Sequence, residues 1–151
     1  MTTGHLAFDL LKTLVGDWIG KYPSGATDKA SYSLTAGDSA LVEAWTLSGG
    51  NSAQTIYHMD GPHLIAAHFC PWGNFPRLRL QEFEQSSRML FRVFDGANME
   101  NCDHQHQSAF LLNIVAIDKF ERSECYISNQ HFGAGENIGA MGELGVYSRS
   151  K

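Results

Sequence analysis

The chain is expected to be all-β: an antiparallel up-and-down barrel of about nine or ten short strands behind one short N-terminal helix. Three observations predict it. Helical spacing of apolar residues is confined to the first fifteen or so positions. After them come short runs of alternating or apolar residues, separated at regular intervals by Gly, Asn, Asp, Ser and Pro. At the junction stands Gly16-Asp17-Trp18-Ile19-Gly20, whose glycines permit a sharp bend and close backbone approach, and whose tryptophan can plug the narrow end of a barrel while its indole N–H finds a backbone carbonyl.

Each element has its own warrant. Ala7, Leu10, Leu11 and Leu14 share one helical face, with Thr3 as the expected cap and Gly16 as the stop. Lys21-Tyr22-Pro23-Ser24-Gly25 reads as a loop, after which Ala30, Tyr32 and Leu34 alternate with Ser31, Ser33 and Thr35 in a half-buried strand, turned at Ala36-Gly37-Asp38-Ser39. A strand from Ala40 to Leu47 sets Val42 and Ala44 against Leu41, Glu43 and Trp45. Thr55 to Met59 and Leu64 to Cys70 form a hairpin around Asp60-Gly61-Pro62-His63, and Leu78 to Phe83 and Met89 to Asp95 another around Gln85-Ser86-Ser87. Phe110 to Ile117 and Phe120 to Ile127 are the central apolar strands. A glycine-rich crossing loop from Ser128 to Gly145 then leads to a last short strand, Val146 to Arg149.

The 151 residues suit a single domain, 1–151, since a chain of this size buries roughly 70% of its unfolded surface. A formal charge of −5 without a basic cluster argues against a nucleic-acid partner. No secretory-signal pattern and no apolar run of membrane-spanning length occur, so the expectation is a soluble, cytoplasmic protein with no membrane partner. Cys70, Cys102 and Cys125 lack paired CxxC spacing and read as reduced thiols. A homodimer is compatible with the sequence, but nothing in it specifies one.

The helix, the Gly16-Asp17-Trp18-Ile19-Gly20 stretch and the meander resemble the calycin superfamily of lipocalins, fatty-acid-binding proteins and haem-binding nitrobindins. Through Tyr57-His58-Met59-Asp60-Gly61, His68-Phe69-Cys70, Gly73-Asn74-Phe75-Pro76-Arg77 and Phe94-Asp95-Gly96-Ala97-Asn98, the middle of the chain is similar to an uncharacterised bacterial lipocalin-like family. The resemblance implies a barrel open at one end and holding a small, largely apolar molecule. It also implies a basic residue of the last strand stacked on the tryptophan, for which Arg149 is the late candidate.

Candidate ligand-binding residues follow. His58 and His68 lie in the two arms of one hairpin, where they either anchor a ligand in an apolar wall or bond to backbone and Tyr hydroxyls; the turn leaves their shared face open. In the loop Pro71-Trp72-Gly73-Asn74-Phe75-Pro76-Arg77, Asn74 and Arg77 can orient a carboxylate or carbonyl, or the prolines and aromatics staple the connection while Arg77 is solvated or pairs with a glutamate. Asp95 and Asn98 read as an Asx turn. Cys102, His104 and His106 project together along a strand at steps of about 7 Å. His104 and His106 can therefore converge on a metal ion, with His58 or His68 as third ligand, or be solvated or bonded to a neighbouring strand.

No Gly-x-Ser-x-Gly elbow, activated cysteine or phosphate-cradling loop is present. The leading expectation is a binding protein for a small hydrophobic or amphipathic molecule, its cavity lined by Trp45, Tyr32 and Phe91 as well as Trp18, with no cofactor required. The alternatives are a haem protein with His131 on the iron, and an enzyme using His104 and His106 with a metal or His68 as base.

Overall fold

The computed structural model describes residues 1–99, 105–128 and 141–150. One helix, α1 (Thr3–Lys12), precedes ten strands: β1 (Gly16–Lys21), β2 (Thr27–Thr35), β3 (Ala40–Thr46), β4 (Ser52–Asp60), β5 (His63–Phe69), β6 (Phe75–Glu84), β7 (Arg88–Ala97), β8 (Gln105–Ala116), β9 (Lys119–Ser128) and β10 (Gly145–Arg149). Every pairing is antiparallel between sequence neighbours, and β10 closes the circle onto β1. Closure leaves no edge strand among the described residues.

The helix caps one end, here called the floor. Ala7, Phe8 and Leu11 are buried against the core, and Gly4 lies so close to the β4–β5 turn that a Cβ there would stand 2.5 Å from the Pro62 carbonyl oxygen. Its N-cap is Thr2 rather than Thr3: the Thr2 hydroxyl accepts from the His5 backbone N–H at 3.3 Å, satisfying one of the unpaired donors of the first turn. The helix also stops four residues short of Gly16, at Lys12, because Thr13 and Leu14 turn the chain into β1.

Gly16-Asp17-Trp18-Ile19-Gly20 is itself part of a strand, and its glycines have a common explanation on β10. Gly16 has φ +131°, and a Cβ there would meet the Arg149 guanidinium at 2.8 Å; at Gly20 it would meet the Tyr147 ring at 2.1 Å. The two missing side chains let two β10 side chains cross β1. Between them Trp18 is buried, with its indole N–H donating to the Leu14 carbonyl at 2.7 Å and its ring edge-on to Phe120 at 4.8 Å. Arg149 lies over the indole at 4.4 Å and donates to the carbonyls of Thr13, Val15 and Ile117, tying β10 to the helix exit and the β8–β9 turn.

Two elements depart from the sequence expectation. The segment Phe75-Pro76-Arg77 opens β6 instead of continuing the loop, pairing with Gly96 and Ala97 of β7 and, through Arg77, with Asp95. Pro76 is tolerated there because β6 separates from β5 just beyond the Ala67–Arg77 pair, so the proline needs no donor on that side. Asp95 is accordingly a strand residue and not part of an Asx turn. Asn98 takes φ 52° just beyond β7, and its side-chain amide donates to the Gly73 carbonyl.

Candidate functional site

Strand alternation divides the barrel interior into two halves. Near the floor the inward side chains are apolar: Leu41, Leu64, Leu112 and Phe120. Toward the opposite end, the mouth, the same faces turn polar. Along β9 the inner column runs Phe120, Arg122, Glu124, Tyr126; on β3 it runs Leu41, Glu43, Trp45; on β5, Leu64, Ala66, His68.

Glu43 is fully buried, and four donors converge on its carboxylate. Tyr32 and Tyr57 hydroxyls reach Oε2 at 2.8 and 2.6 Å, Trp45 Nε1 reaches Oε1 at 2.6 Å, and Arg122 Nη1 reaches Oε2 at 3.1 Å. An ionised carboxylate can be buried only with such partners. Arg122, 1% exposed, is gripped on three sides: Nη1 by Glu43, Nε by Glu124 Oε1 at 2.8 Å, and its faces by Trp45 at 4.9 Å and Phe110 at 4.2 Å. Burial alone would lower its pKa, but Glu43, Tyr57 and Glu124 outweigh that and hold it firmly charged. Glu124 accepts also from the Tyr126 hydroxyl at 2.8 Å. Burial pushes its pKa up, yet Arg122, His68 and the two hydrogen bonds carry it below the ordinary carboxylate value.

His68 sits on the inner face of β5, with Nδ1 sharing a hydrogen bond with the Thr55 hydroxyl at 2.9 Å. Burial lowers its pKa, Glu124 opposing, so the imidazole is neutral near pH 7. A further polar group lies beside this line: Tyr22 donates to Asp28 at 3.1 Å and shares a short hydrogen bond with Tyr147. Burial raises the pKa of all three groups.

Buried polar atoms are ordinarily hydrogen-bonded, so those left over call for an explanation. Arg122 Nη2, His68 Nε2, and both side-chain polar atoms of Gln107 are buried without a hydrogen-bond partner among the described residues. Gln107 is the register partner of Tyr126. Cavities among the described residues at this end include two that touch the cluster. One, of about 230 Å³, is lined by Tyr22, Arg122, Ser123, Glu124, Tyr126 and the Gly142–Glu143 segment. The other, of about 400 Å³, opens where β5 and β6 part and is lined by His68, Phe69, Phe75, Pro76 and the Arg77–Asp95 pair, among others.

The residues expected from sequence to bind a ligand are distributed unevenly around this site. His68, Tyr32, Trp45 and Phe91 all face inward. Tyr32 and Trp45 are engaged by Glu43, while Phe91 is stacked on Phe110 at 4.6 Å and edge-on to Tyr57. His58 faces the other way: it pairs with Ile65, three positions from His68, because the β4–β5 connection is the two-residue Gly61-Pro62. Its Nδ1 bonds the Met59 carbonyl. Asn74 is buried and donates to the Gln105 carbonyl at 3.0 Å.

Arg77 lies on the outer surface, paired through Nε with Asp95 at 2.7 Å and stacked over Phe94, so its partner is an aspartate rather than a glutamate. His106 is buried on the outward-facing register of β8 opposite Ile127. Its expected companions Cys102 and His104, like His131, lie outside the described residues, among which no group of three His, Cys, Asp or Glu is placed to hold a metal. Cys70 and Cys125 are buried thiols.

Glu43, Arg122, Glu124, Tyr126, Thr55 and Gln107 were not among the expected site residues. The usable signal was the alternation itself, since Glu43 shares a face with Leu41 and Trp45, and Arg122 and Glu124 share one with Phe120. A charge on the buried parity of a strand marks an interior ion pair.

Fold and site together define a closed, helix-capped antiparallel barrel with a polar interior at one end, an architecture compatible with a calycin-like fold. No protein-family model matches the chain, and no match was found among curated proteins. No helix among the described residues is long and apolar enough to cross a membrane.

Proposed function

We propose that the protein is a calycin-type barrel that binds a small amphipathic molecule in its mouth half. Membership of that superfamily is supported by the Trp18 plug at the head of β1 with Arg149 of the last strand stacked on it. The binding reading rests on one observation: Arg122, His68 and Gln107, with Asp28 beside them, hold buried polar atoms that lack a partner among the described residues, at the end where cavities lined by Arg122 and by His68 open. Leaving buried donors and acceptors unmade costs about 1–3 kcal/mol each, a cost that a ligand supplying the missing partners would remove. The surrounding Trp45, Phe110 and Tyr rings would receive its apolar part.

The test is retention of a molecule. Native mass spectrometry of the gently purified protein is expected to show added mass that disappears on denaturation, and extraction is expected to yield a compound that raises Tm when returned. A protein that carries no mass and gains no stability from a broad library of small amphipathic compounds would refute the proposal. A second reading, general-base chemistry at His68, is favoured by its neutral imidazole and its unpartnered Nε2. Conversion of the retained compound by the protein, abolished in His68→Gln, would establish it.

A further inference from the structure

The arrangement around Arg122 restricts what the ligand can be. Its guanidinium has five N–H donors. Nε is taken by Glu124 and Nη1 by Glu43, and the two faces are covered by Trp45 and Phe110. Only the Nη2 corner is left, with two N–H groups and no acceptor among the described residues. Whatever sits there must present an oxygen or nitrogen lone pair, which excludes an ammonium group as the occupant.

Charge narrows the choice further. The cluster sets two carboxylates, buried Glu43 and partly exposed Glu124, against one buried guanidinium, and burial opposes a charge on His68. Carboxylates therefore outnumber guanidinium groups around the Nη2 corner. A carboxylate or phosphate ligand would bring a further negative charge close to Glu124 and the buried Glu43. An uncharged acceptor meets no such penalty. Gln107, the register partner of Tyr126 and so one inward position beyond Phe110 on the neighbouring strand, adds a second group at this end: its amide offers one acceptor and two donors with no partner among the described residues. A group that both accepts and donates would complement it, as another amide does.

Building on the binding role proposed above, we infer that the ligand is an uncharged carbonyl compound, best matched by a carboxamide, whose oxygen is seated on Arg122 Nη2 and whose apolar tail lies among the mouth aromatics.

Three probes of equal chain length separate the possibilities: octanamide, octanoate and octylammonium, titrated into the full chain at pH 7.5 and followed by tryptophan fluorescence, since Trp45 adjoins Arg122. Octanamide is expected to bind at least tenfold more tightly than either ion. Arg122→Lys, which keeps the charge but removes the Nη2 corner, should weaken octanamide at least tenfold. Glu124→Gln, which removes one negative charge from a partly exposed side chain, should narrow the gap between octanamide and octanoate about tenfold and serves if Arg122→Lys does not fold. Tighter binding of octanoate or octylammonium, or a gap unchanged by Glu124→Gln, would overturn the inference while leaving the binding role standing. Absence of saturable binding by all three probes overturns the inference, and the binding role falls only if the mass and library measurements are negative too.

Discussion

The floor and the mouth of this barrel are made by the same ten strands with the same alternation, yet their inner faces obey different rules. At the floor, Leu41, Leu64, Leu112 and Phe120 close around Trp18 and the helix, and the one indole N–H has its carbonyl. A few residues further along the same strands, Glu43, Arg122, Glu124 and His68 occupy the equivalent inward positions. Replacing a buried ion pair by apolar groups of similar volume is often neutral or stabilising. The mouth therefore carries charge that stability alone does not ask for, and the difference between the two ends separates what holds the fold from what is proposed to bind.

The largest effect should come from the floor. Trp18→Ala removes the plug and the contacts with Phe120 and Arg149, and should cost about 4 kcal/mol in urea denaturation. Next is the mouth: Arg122→Met strands two carboxylates and should cost about 3 kcal/mol. The double variant Glu43→Leu with Arg122→Met is expected to be more stable than Arg122→Met alone, and a simple sum of two losses would contradict the view that the penalty is the stranded charge. Gly20→Ala drives a methyl into the Tyr147 ring and should cost about 2 kcal/mol, measured as a lowered denaturation midpoint at unchanged slope.

A smaller effect follows pH. His68 has a folded pKa below its unfolded value of 6.5, so the unfolded chain binds more protons and stability falls as pH drops through 6.5 toward the folded value. The slope from this group is at most about 1.4 kcal/mol per pH unit. Glu124, also depressed, adds its own loss below its ordinary 4.5. In His68→Gln the decline between pH 6.5 and 5 should flatten while the loss below 4.5 persists. The smallest effect belongs to the outer surface, where Asp95→Ala breaks a solvent-exposed pair with Arg77 and should change stability by less than about 1 kcal/mol.

Much of this architecture was legible in residue order. The helix announced itself by Ala7 and Leu11, the Gln85-Ser86 turn by its polar composition, and the barrel by the regular return of turn residues. Both Gln85 and Ser86 adopt positive φ, as a tight hairpin requires. A buried Trp18 with its indole N–H on a backbone carbonyl could be anticipated from the stretch itself, but not that the carbonyl is that of Leu14. The candidate site was less legible. His68 could be singled out, but its outward-facing companion His58 could not be separated from it, since one residue more or less in the turn would reverse its face. Glu43 and Arg122 are 79 positions apart, and no local pattern reports such a pairing.

Local covalent chemistry determined which segments extend, where they turn, and which residues alternate toward the inside, because backbone sterics and period-two patterning act over a few positions. Tertiary structure alone decided that β10 would close on β1, with Gly16 and Gly20 making room for Arg149 and Tyr147, and that Glu124 would join the buried Glu43–Arg122 pair in one network. The physical reason is that desolvation becomes costly, and an unmatched donor becomes informative, only after distant strands have excluded water from the space between them.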